Sequence, residues 1–133
     1  MATGDEPNPE SPLARFIVLV VEDDALTASE LEFIVQEAGH GVLGPCATAA
    51  AALMLLAEHR PDAALLDVGL RDGPSLPIAE ELAAAGVPFA LVTGYMPGEL
   101  PAGRLANATA LEKPFTTGAV KEVLAALLGG RTT

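Results

Sequence analysis

Three unbroken apolar runs constrain this chain more than anything else in it: Phe16 to Val21, Ala63 to Leu66 and Val87 to Val92. Small and branched apolar residues without polar alternation suit strands buried on both faces, and such strands belong to parallel sheets covered by helices. Each run also ends on polar residues: Glu22, Asp23 and Asp24 after the first, Asp67 after the second, Thr93 after the third. Ligands and chemistry collect at the carboxyl ends of the strands in an open parallel sheet, so these side chains fall where a site is expected. Within its own stretch, Asp67 reads equally well as a turn cap before Gly69.

Between the runs the apolar period changes to that of helices. Ala28, Leu31, Ile34, Val35 and Ala38 share one face of a helix from Ala25 to Ala38, with Asp24 placed to cap its start and Gly39 its end. Thr48 caps a second helix reaching His59, which complements the helix dipole before Pro61 turns the chain away. A third runs from about Leu76 to Ala85 with Pro77 in its first turn, and Val120, Val123, Leu124, Leu127 and Leu128 mark the last, stopped at Gly129 and Gly130. Gly69 to Ser75 carries turn signals throughout and reads as a loop.

Val42 and Leu43 read as a short strand suited to a sheet edge, its ladder ended by Pro45, and Thr109 to Leu111 as a fifth strand followed by Lys113 and Pro114. Pro97, Gly98, Pro101 and Gly103 make a poor helix, so the fourth helix is expected to be short or irregular. Strands alternating with helical segments at crossover spacing predict an α/β fold, a flavodoxin-like doubly wound five-stranded parallel sheet with helices on both faces.

A chain of 133 residues is one domain by size. Residues 1–14 have linker composition and are expected to be a disordered N-terminal extension, leaving a folded domain over 15–129 and a tail over 130–133. The 18 acidic residues against 7 basic ones give a formal charge of −11, which repels a phosphate backbone and argues against direct nucleic-acid binding. No long uncharged apolar run argues for a membrane span. The single cysteine, Cys46, cannot pair internally and reads as a buried small hydrophobe; with no signal-peptide pattern, the expected location is the cytoplasm.

Together, the strand ends bring Glu22, Asp23, Asp67, Thr93 and Lys113 to one sheet edge. Three carboxylates within about 5 Å repel by roughly 3 kcal/mol per pair at an effective dielectric near 20, so something must neutralise them. A hard divalent cation does so, and magnesium suits oxygen ligands beside a phosphoryl group. Asp67 can be the attacking carboxylate, with Lys113 neutralising a phosphoryl oxygen and Thr93 donating a hydrogen bond to another.

Val20 to Asp24, Leu65 to Asp67, Val92 to Gly94 and Lys113 to Phe115 resemble the response-regulator receiver domain of two-component signalling, over essentially all of Phe16 to Leu128. The resemblance implies that Asp67 accepts a phosphoryl group from a histidine kinase or a histidine phosphotransfer protein. It also implies that Glu22, Asp23, Asp67 and the backbone carbonyl of Gly69 surround magnesium, and that Thr93 and Lys113 sense the phosphoryl group.

Pro88 to Tyr95 is similar to single-domain regulators carrying a Phe-Ala-Thr-Gly-Tyr type motif, with Leu91 and Val92 in place of its first two residues. Where the family has Tyr or Phe three residues before its lysine, this chain has Ala110. The switching part is therefore expected to be Tyr95 and the 94–103 segment. If the chain is complete, no residues remain after Thr133 for an effector domain, and output is expected through a downstream protein partner or by passing the phosphoryl group on; a monomer or weak dimer is expected.

Three rivals compete with this reading. A receiver-like interaction scaffold working without phosphorylation is the main one, since Ala110 loosens the link between chemistry and surface. An aspartyl-phosphate phosphatase lacks the second carboxylate it would want where Gly69 stands, and a flavin-binding protein would have Glu22, Asp23 and Asp24 repelling its phosphate.

Overall fold

A computed structural model of the chain describes residues 16–70, 72–94 and 109–129. In chain order the elements are β1 (Ile17–Val21), α1 (Ala25–Glu37), β2 (Gly41–Cys46), α2 (Ala49–Glu58), β3 (Ala63–Asp67), β4 (Gly69–Leu70), β5 (Gly73–Pro74), α3 (Leu76–Ala84), β6 (Phe89–Thr93), β7 (Thr109–Glu112) and α4 (Thr117–Leu128). The five longer strands form one parallel sheet in the order β2-β1-β3-β6-β7. This is the flavodoxin-like order, with its switch point between β1 and β3.

The alternation hidden inside each apolar run now has a meaning. Leu19, Val21, Ala64, Leu66 and Leu91 face one layer of helix, where Ala52, Ile78 and Leu82 of α2 and α3 meet them. Val18, Val20, Leu65, Ala90 and Val92 face the other, against Leu31 and Ile34 of α1 and Val120 and Leu124 of α4. Both faces of the central strands are dry, which is why those runs carry no polar alternation.

The caps expected at Asp24 and Thr48 form, and Thr116 adds one not expected from the sequence. Asp24 accepts from the Thr27 amide at 2.9 Å, Thr48 from Ala51 at 3.1 Å and Thr116 from Ala119 at 3.0 Å. Gly39 takes φ 97° after α1, the left-handed conformation that favours glycine. Cys46 is buried, and its burial pushes the thiol above its ordinary range.

Two expectations are corrected. The second strand is not confined to Val42 and Leu43 but runs Gly41–Cys46, straight through Pro45. Its position at the sheet edge accommodates a residue without an amide, and a bulge does the rest: Leu19 pairs Leu43 but Val21 pairs Cys46, one extra residue on β2 absorbed at Gly44 with φ 92°. The Gly69 to Ser75 loop contains an antiparallel ribbon, Gly69 opposite Pro74 and Leu70 opposite Gly73. The extension 1–14, the tail 130–133, and the 97–103 segment of the fourth helix together with Tyr95 lie outside the described residues.

Candidate functional site

Glu22 and Asp23 follow β1, and Asp67 ends the neighbouring β3, so the strand pairing that matches Val21 with Leu66 sets the acids side by side. One oxygen from each of Glu22, Asp23 and Asp67 lies within 4.8 Å of the others. Thr93 ends β6, one residue past the partner of Asp67, and is buried. Lys113 follows β7 and is held by its amide to the Thr93 carbonyl at 2.8 Å. Its ammonium approaches Glu22 Oε1 at 3.1 Å and Asp67 Oδ1 at 3.8 Å.

Glu22 is only 2 % exposed, and its two oxygens differ. Oε2 accepts from the Asp24 amide at 3.0 Å, while Oε1 is buried and takes no hydrogen bond, only the Lys113 ion pair. Asp67 is pushed up to about 7, first because burial penalises its charge and then because Glu22 both hydrogen-bonds to it and repels it; Lys113 opposes the rise. One ammonium does not balance three carboxylates. The set is all hard oxygen, with one buried Glu22 oxygen held by the Lys113 ion pair and no hydrogen bond, and it fits a magnesium-sized cation.

The four charged side chains singled out from the sequence are thus brought together, and Thr93 ends the strand beside that of Asp67. Gly69 opens β4 two residues beyond Asp67, at the rim, and a Cβ there would meet nothing within 4 Å. Ala110 lies on β7, paired to Leu91, and is exposed. Sequence reasoning missed Asp72, whose carboxylate accepts from the Ala49 and Ala50 amides at 2.8 and 3.1 Å. Asp before Gly signals a turn, and nothing in it signals a helix start more than twenty residues away.

The crevice with its clustered acids and lysine lies at the switch point of a flavodoxin-like, doubly wound α/β sheet. No protein-family model matches the chain. It is 32% identical over 114 residues to the phyllosphere-induced regulator PhyR of Methylorubrum extorquens, covering 84% of this chain and 43% of that protein. The solution structure of SdrG from Sphingomonas melonis Fr1 matches at 39% identity and a TM-score of 0.72, covering 87% of this chain and 97% of SdrG. The receiver domain of Erythrobacter litoralis PhyR superposes with a TM-score of 0.79 at 27% identity, over 90% of this chain and 95% of that one.

The chain belongs to the response-regulator receiver-domain family of two-component signalling. It spans about half the length, or less, of the curated full-length regulators PhyR and PdtaR. No helix among the described residues is long and apolar enough to cross a membrane.

Proposed function

We propose that this domain accepts a phosphoryl group on Asp67 from a phosphohistidine, supplied by a histidine kinase or a histidine phosphotransfer protein, and that the modification alters binding to a downstream protein in the cytoplasm. The observation that carries the reading is the convergence of three carboxylates within 4.8 Å beneath one ammonium, at the switch point of the sheet. An acid cluster of this density has a cost that only a cation and an incoming phosphoryl group turn to use.

In this reading Glu22, Asp23, Asp67 and the Gly69 carbonyl hold magnesium, which supplies charge neutralisation of the transferred group. An Asp67 oxygen forms the new bond to phosphorus as the phosphorus–nitrogen bond to the donor imidazole breaks. Lys113, already between Glu22 and Asp67, turns to a phosphoryl oxygen, and the Thr93 hydroxyl donates to another. Burial of Asp67 and Glu22 keeps these charges in a medium where they count.

Incubation with acetyl phosphate and magnesium tests it. The expected result is an acid-stable, hydroxylamine-labile mass increase on Asp67, absent from Asp67→Asn and absent in chelator. A wild-type chain that stays unmodified while SdrG is modified under the same conditions rejects the reading.

A further inference from the structure

The two acidic walls of the crevice share a single strap. On one wall the Glu22 amide donates to the Cys46 carbonyl at 2.8 Å, tying the loop after β1 to the end of β2. Three residues on, the first two amides of α2, those of Ala49 and Ala50, donate to the carboxylate of Asp72. Asp72 belongs to the other wall, the ribbon that follows Asp67. The β2–α2 junction is therefore bonded both to the loop after β1 and to the ribbon that follows Asp67.

The ribbon itself is a firm lever. Gly69 pairs with Pro74, the Ser75 amide closes onto the Val68 carbonyl at 3.0 Å, and Val68 and Leu70 are buried beside Cys46 and Ala49. Its core end is held by packing; its tip is held by Asp72. Helix α2 does not need Asp72 as its own cap, because Thr48 already fills that role toward Ala51. The bonds from Asp72 are the part of this junction that spans from helix to loop.

We infer that Asp72 is a positioning residue for the cation site: by clamping the 69–74 ribbon to the α2 N-terminus, it fixes the backbone of Gly69 relative to Glu22, Asp23 and Asp67. This rests on the reading of the crevice as a magnesium site. Residues that orient a ligand without touching the metal typically change affinity by about 10- to 100-fold when removed. The clamp also makes helix α2 responsive to occupancy of the crevice, since a shift in either wall reaches the Ala49 and Ala50 amides through one hydrogen bond.

The full chain, titrated with magnesium chloride and followed by amide NMR, tests the clamp against a plain helix-stabilising role. Thr48→Ala is the control, because it removes the local α2 cap and leaves the Asp72 bonds intact. Asp72→Ala is expected to bind magnesium at least about tenfold more weakly than wild type, with Thr48→Ala within twofold of wild type. Asp72→Asn, which keeps one carbonyl acceptor, is expected to recover most of the loss. The Ala49 and Ala50 resonances should shift with magnesium in wild type and cease to follow the titration in Asp72→Ala.

Equal weakening by Asp72→Ala and Thr48→Ala overturns the inference, as does unchanged affinity in Asp72→Ala, while leaving the metal site itself standing. A wild-type chain that binds no magnesium overturns the metal reading and this inference together.

Discussion

Asp67 carries opposing demands, and its ionisation is where they are measured. In the metal-free fold its carboxyl rises from 3.8 to about 7, burial first and Glu22 second. A group raised on folding contributes stability that is fully present below its unfolded value and is lost as pH climbs through its folded one. Metal-free wild type should therefore lose stability between pH 4 and 7 relative to Asp67→Asn, and at pH 8 the variant should be more stable by about 1–3 kcal/mol. Urea midpoints in chelator at pH 5 and pH 8 check this; a variant less stable than wild type at pH 8 contradicts it. Protons and magnesium compete for the same oxygens, so magnesium affinity at pH 6 should be about tenfold below that at pH 8. Calorimetric titration at the two pH values reads it, and equal affinities would place the titration elsewhere.

Among the elements, β2 shows how a local rule yields to its neighbours. Pro45 reads as a stop from sequence, yet the strand passes it because Gly44, at φ 92°, takes up the extra residue and the strand lies at the sheet edge. A Cβ at Gly44 would sit 2.9 Å from both the Cys46 nitrogen and the Val20 oxygen. Gly44→Ala should cost about 2–3 kcal/mol, from the left-handed backbone and the collision together. Thermal unfolding measures it, and a loss within 0.5 kcal/mol, the range of an ordinary surface change, would show that the bulge relaxes freely. Helices α1, α2, α3 and α4 were legible because their signals are local: caps for α1 and α2, a first-turn proline for α3, an apolar stripe and a glycine stop for α4. The bulge was not, because it depends on β1, a partner far off in sequence, and the two-residue strands of the β4–β5 ribbon are too short to carry a periodic signal.

The molecule as a whole is an acidic body, −11 by formal charge, with three of its carboxylates clustered in the crevice. Magnesium should raise the unfolding temperature beyond what potassium chloride of matched ionic strength achieves, since only the cation that binds the native state adds mass-action stabilisation. In Asp23→Ala the two salts should act alike. Persistence of the magnesium-specific rise in that variant, by differential scanning fluorimetry, would take the binding site away from these acids. The grouping of Glu22, Asp23, Asp67 and Lys113 was readable in advance because an open parallel sheet sends every strand's end to the same edge, so linear order became spatial grouping without any knowledge of distances. Asp72 was unreadable for the opposite reason: its partners are backbone amides, and any residue supplies those.

Lys113 comes to the crevice on β7, the last strand of the sheet in both chain order and position. During synthesis the acids of Glu22, Asp23 and Asp67 therefore leave the ribosome well before the residue that offsets them. A nascent chain stalled ahead of Thr109 carries all three carboxylates and lacks the ammonium that offsets them in the finished fold.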